Sequence, residues 1–204
     1  MKNTLKKISL IFSLILFTTT SSYSQKEYAK FTSGNGKLSM KSSVVAKPGK
    51  TQGNVYMDLN IDGKSSISFK GEKSRMEFLS FVNRTYEKFK EWKVTAEENK
   101  VTDLNKDIES ASLGDNVAFY YGASWKFSFG KNPVRAIMNV NESSKVSYYL
   151  YFGKVTASDN QYMKSDSQLF VMEDSDIESL NNVLSTEVIN KFIKAQTSAE
   201  DLFN

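Results

Sequence analysis

Residues 117–152 read VAFYYGASWKFSFGKNPVRAIMNVNESSKVSYYLYF. Val117, Phe119, Tyr121, Ala123, Trp125, Phe127 and Phe129 recur at every second position, the period of a strand with one buried face. Gly122 is the residue in that run able to bend it. Gly130 to Pro133 marks a turn, after which Val134, Ala136, Met138 and Val140 alternate. A second turn at Glu142-Ser143-Ser144 leads into Val146, Tyr148, Leu150 and Phe152. Pairing Phe129 with Val134 and Phe127 with Ala136, then Val140 with Val146 and Met138 with Tyr148, keeps the apolar residues on one face. The expectation is a three-stranded antiparallel meander.

Upstream, Val55, Met57, Leu59 and Ile61 alternate, followed by Ile67 and Phe69 beyond Asp62-Gly63. A two-residue turn would set apolar residues opposite polar ones. A loop of three or five avoids this, and the three-residue form pairs Leu59 with Ile67 and Met57 with Phe69. Residues 72–98 change period: Leu79, Val82, Tyr86, Phe89 and Ala96, widened by Phe78 and Trp92, form a helical stripe without Pro or Gly. This predicts a long amphipathic helix whose stripe packs on the sheet. Residues 99–115 are polar and irregular and read as a solvated loop. Gln168 to Met172 reads as a short strand, and Ser175 to Glu178 as a capping box opening a helical C-terminus of one helix or two. The fold class is α+β, an antiparallel sheet with a long inserted helix.

The N-terminus carries a different message. Lys2, Lys6 and Lys7 precede the apolar run Ile8 to Phe17, and Ser22-Tyr23-Ser24 supplies small residues before Gln25. That apolar run rises only about 15 Å as a helix, half of a bilayer core. Residues 1–24 are therefore expected to be a cleaved signal peptide, 25–36 a flexible leader and 37–204 a single domain. Without the three signal lysines, 27 basic residues become 24 against 23 acidic ones. A nearly neutral chain with interspersed charges does not suit nucleic acid.

Neither His nor Cys occurs in the 204 residues. This excludes Ser-His and Cys-His nucleophilic chemistry, and zinc or copper sites built on imidazole or thiolate. Asp58 to Gly63 and Asp103 to Glu109 both carry Asp-x-Asn-x-Asp spacing, yet neither completes a calcium loop: position twelve holds Phe69 or Gly114 instead of Glu. No cofactor signature is present, and neither cofactor nor metal is expected.

The leading expectation is an exported non-enzymatic module, periplasmic or extracellular, that binds a ligand or a protein. The alternatives are a carboxylate-based hydrolase of an envelope polymer and a structural envelope component. In the expected meander the polar face places Ser128, Arg135 and Tyr151 in one row and Lys126, Ile137 and Tyr149 in the next. Lys126, Ser128, Arg135, Tyr149 and Tyr151 are thus candidates for holding a small anionic or sugar-like ligand by stacking and charge-assisted hydrogen bonds. The competing reading puts the long helix over this face and makes the tyrosines packing residues.

Overall fold

The structure, a computed structural model, describes residues 26–34, 36–47, 50–60 and 65–201, so the expected signal peptide lies outside the described residues. In chain order the elements are β1 (Lys26–Ser33), β2 (Gly36–Lys47), β3 (Lys50–Asn60), β4 (Ser65–Phe69), α1 (Glu72–Glu98), β5 (Leu104–Leu113), β6 (Asn116–Tyr121), β7 (Ser124–Ser128), β8 (Asn132–Val140), β9 (Val146–Phe152), β10 (Thr156–Ala157), β11 (Asn160–Lys164), β12 (Gln168–Met172), α2 (Asp174–Val183) and α3 (Thr186–Asp201). The fold is α+β, with antiparallel sheets, an inserted helix and a helical C-terminus.

The strands form a six-stranded sheet in the order β1-β2-β3-β4-β6-β7, a four-stranded sheet β12-β9-β8-β5, and the small β10–β11 hairpin. The stripe of α1 lies against the inner faces of both large sheets. Phe78 stands 5.3 Å from Phe69 of β4 and 6.4 Å from Phe152 of β9, ring centre to ring centre. Tyr86 and Phe89 both close on Tyr148, at 5.1 and 5.4 Å. Leu79, Val82 and Ala96 are buried with them. One hydrophobic core therefore joins both sheets through the helix, as the 3.6-residue stripe requires. Within it the Tyr148 hydroxyl hydrogen-bonds Thr85 Oγ1 at 2.7 Å, so a buried phenol is satisfied by the helix. Among the described residues no helix is long and apolar enough to cross a membrane.

Several expectations are corrected. Residues 26–33 are a strand rather than part of a loose leader. Ser33 is fully buried and its hydroxyl donates to the Val171 carbonyl at 2.6 Å, tying β1 to β12, while Glu27, Lys30 and Thr32 face water. A sheet edge with one wet face tolerates such a polar sequence. The region 104–113 is likewise the edge strand β5, and a bulge between Asp107 and Glu109 breaks the period of two that would have revealed it. In the first hairpin Met57 opposes Ile67 and Val55 opposes Phe69. That is two residues from the three-residue-loop register; the last pair, Leu59 with Ser65, leaves five residues between, the other odd length expected, and the apolar facing is kept. The C-terminal helix starts earlier than expected: the Glu173 N–H donates to Asp176 Oδ2 at 2.8 Å, so the cap is Glu173 with Asp176, not Ser175 with Glu178. Two helices close the described chain, separated at Leu184-Ser185.

The meander holds in one half only. β8 and β9 pair in the expected register, Met138 with Tyr148 and Val140 with Val146. The run from Val117 to Phe129, however, folds back on itself: Tyr121 pairs with Ser124 across Gly122-Ala123, and β7 returns along β6 instead of reaching β8. An unbroken strand of that length would span about 43 Å at about 3.3 Å per residue, more than a small domain accommodates. β8 instead takes β5 as its other neighbour.

Candidate functional site: an aromatic face on the six-stranded sheet

The turn at Gly122-Ala123 reverses which side chains face inward. Gly122 has φ 60°, a left-handed backbone that glycine adopts without a Cβ penalty. Because an odd residue, Tyr121, pairs with an even one, Ser124, the inward parity changes between the strands. Val117 and Phe119 of β6 are buried, each 1% exposed. On β7 the inward positions fall to Lys126 and Ser128, opposite Phe119 and Val117. Trp125 and Phe127 are turned to the outer face, where they are 48% and 51% exposed.

Trp125 lies directly across from Tyr120, the rings edge to face with centres 5.7 Å apart. Phe127 stands opposite Ala118, whose small side chain leaves its ring uncovered, and Phe129 is more exposed still. The row continues across the sheet from Phe127 through Ala118 and Ser66 to Asp58. Tyr56, Asp58 and Ser66 are half-buried on this side. The outer face thus passes from aromatic rings at one edge to hydroxyl and carboxylate groups at its middle.

The edge beyond β7 is occupied. The Ser158 N–H donates to the Phe127 carbonyl at 2.8 Å, and the Phe129 N–H donates to Ser158 Oγ at the same distance. Lys126, pointing away from the rings, pairs with Asp159 at 3.3 Å. The β10–β11 hairpin therefore holds the hairpin edge while leaving the ring face open.

The five residues expected to form a site are divided by this topology. Arg135, Tyr149 and Tyr151 share the outer face of the four-stranded sheet, with Arg135 directly opposite Tyr151 and Ile137 opposite Tyr149. Lys126 and Ser128 belong to the other sheet and join neither row. The helix covers the opposite face of β8 and β9, through Tyr148 and Phe152, so Arg135 stays exposed. Its guanidinium lies 5.5 Å above the Tyr151 ring and is clamped by Asp107 of β5, Nε to Oδ2 at 3.1 Å and Nη2 to Oδ1 at 2.5 Å. That hydrogen-bonded pair pushes the Arg135 pKa up. The acid came from the stretch expected to be a loop, so the cation is neutralised within the sheet.

The two carboxyl groups with shifted pKa values stand apart. Glu109 is held below the usual carboxylate range by its hydrogen bonds to Arg84, and Asp176 is pushed up by burial at the start of α2. They lie on different elements and do not face one another as an acid–base pair would. Among the described residues no cluster of three or more acids is placed to hold a metal ion. A recess of about 270 Å³ between α1, β9 and the start of α2 is lined by Tyr86, Lys93, Lys145, Glu173 and Asp174, and the Tyr86 hydroxyl donates a hydrogen bond to Asp174 there at 3.0 Å. It is smaller than the roughly 300 Å³ at which small-molecule pockets begin.

The rings at Tyr120, Trp125, Phe127 and Phe129 were missed because the alternation was read as continuous. Two signals pointed the other way: thirteen consecutive alternating positions exceed the usual strand length, and Gly122 sits near their middle. No family model, no curated protein and no solved structure matches the chain.

Proposed function

We propose that the chain is an exported, non-enzymatic binding module of the periplasm or cell exterior, and that the ring face of the β6–β7 hairpin is its docking surface. One observation carries this reading: large aromatic side chains are held out of the core, next to one another, on a hairpin braced by Ser158 and Asp159. The largest exposed apolar patch of a folded domain is often its interaction site. Exposed aromatic anchors also supply contact area at low entropic cost, since two torsions fix each ring.

A second face, the row of Arg135, Tyr149 and Tyr151, is also uncovered by the helix. It is less suited to an anion than its cation suggests, because Asp107 already occupies the guanidinium.

The test is co-sedimentation of the purified mature protein with the envelope fraction of its own host. The Trp125→Ala/Phe127→Ala variant is expected to lose at least tenfold in retention, and Arg135→Ala/Tyr151→Ala to keep it. Equal retention of wild type and the Trp125/Phe127 variant rejects the ring face. Loss confined to the Arg135/Tyr151 variant transfers the function to the second face.

A further inference from the structure

We propose that the ring face binds a neutral glycan chain, an assignment that rests on the binding reading above and names its ligand class. The first argument is size. Aromatic side chains carry about 150–250 Å² each, and four of them, 39% to 75% exposed, present about 400 Å². A stable protein interface needs about 800 Å² per partner. The patch is therefore too small for a second copy or a folded protein and is suited to a slender chain.

The second argument is the edge. Strand addition by an extended peptide would have to displace Ser158, which takes the Phe127 carbonyl and the Phe129 N–H at the end of β7.

The third is charge. On the ring side, β6 and β7 present Ala118, Tyr120, Trp125 and Phe127, none of them charged, while Lys126 faces the other way and is paired with Asp159. An anionic polymer or an anionic headgroup requires cations, and none stands among the ring-side residues of β6 and β7.

A sugar ring matches what remains. One face of a pyranose is lined with C–H groups of partial positive charge, and these stack on the negative face of an aromatic ring. Its hydroxyls need donors and acceptors alongside, and the partly exposed Tyr56 and Asp58 of β3 lie on the same face, Asp58 in the row that runs from Phe127 through Ala118. Trp125 and Phe127, two positions apart on one strand, are spaced about 6.6 Å and form successive platforms along it.

The chain's two tryptophans make the test internal: Trp125 lies in the patch and Trp92 on α1, so their indole N–H signals report site and control together. The full mature protein is titrated with neutral hexasaccharides (cello-, xylo-, manno- and N-acetylchito-), with oligogalacturonate, and with phosphatidylcholine vesicles. The expected result is a saturable shift of the Trp125 signal with at least one neutral hexasaccharide and an unmoved Trp92. Affinity should fall at least tenfold in Trp125→Ala and recover in part in Trp125→Phe, with far-UV circular dichroism unchanged in both. No shift with any neutral hexasaccharide overturns the proposal, as does a shift with oligogalacturonate or vesicles alone. A Trp125 shift produced by protein concentration alone overturns it in favour of a second copy. If glycans fail while envelope retention still depends on Trp125 and Phe127, the ligand class is wrong and the docking face stands.

Discussion

Tyr120 and Trp125 face each other across the β6–β7 hairpin, ring centres 5.7 Å apart and planes at 79°. An edge-to-face contact of this kind contributes about 0.5–1.5 kcal/mol beyond area burial. Here it sits at the rim of the sheet, where it orders a surface rather than a core. The ring face depends on the turn that brings these two residues opposite one another.

Gly122→Val should destabilise the protein by about 1–2 kcal/mol, because φ 60° strains a residue with a branched side chain. Space is not the issue, since a Cβ at Gly122 would meet nothing within 4 Å. Gly130 is equally open and lacks the positive φ, so Gly130→Ala should stay within about 0.5 kcal/mol. Urea denaturation of both variants, with near-UV circular dichroism as a reporter of the Tyr120–Trp125 pair, measures the difference. Equal costs would contradict the turn.

Phe119 and Trp125 belonged to one expected face and occupy opposite ones. Phe119→Ala should cost about 3–5 kcal/mol, as large-to-small changes in a packed core do. Trp125→Ala should cost less than Phe119→Ala, because about half of its indole is already in water. Equilibrium unfolding of the two single variants decides it, and a reversed order would place Trp125 in the core.

Arg135→Ala removes a clamp to Asp107 in which both side chains are nearly half exposed. The expected loss is below about 1 kcal/mol and shrinks in high salt, as for surface pairs generally. Denaturant midpoints at low and high ionic strength test this. A loss of several kcal/mol would mean that the pair is buried.

Asp176 produces a pH dependence of definite sign. Its pKa is raised in the fold by burial, above that in the unfolded chain. The stability it contributes is therefore complete below the ordinary Asp range and is lost as pH rises through the raised value. Asp176→Asn keeps an acceptor for the Glu173 N–H and cannot ionise. The Tm of the variant relative to wild type should rise between about pH 3 and pH 7. A difference that is flat or falls with pH would remove the burial effect.

Export predicts a mature N-terminus at Gln25, open or cyclised to pyroglutamate. Intact mass of the protein recovered from its native host's envelope checks the cleavage point. A full-length chain recovered from the cytosol would refute it.

The sequence by itself determined those elements whose evidence is local. The stripe of α1 placed the helix at 72–98, and the alternation of β8 and β9 settled their register, because burial of one face leaves a single parity free of clashes between polar and apolar residues. The absence of His and Cys removed whole classes of chemistry without reference to any fold. What only the tertiary structure decided was which faces met the core. The period of two states that alternate side chains share a side, and it does so only as long as the strand runs on. One turn at Gly122-Ala123 returned β7 along β6 and exchanged its faces, moving Lys126 and Ser128 inward and Trp125 and Phe127 out. The bulge in β5 disguised a strand as a loop and so hid Asp107, the partner that neutralises Arg135. Both features are single-residue shifts in register. Their consequences are set by the neighbouring strands and the helix packed across them, which are distant in the chain.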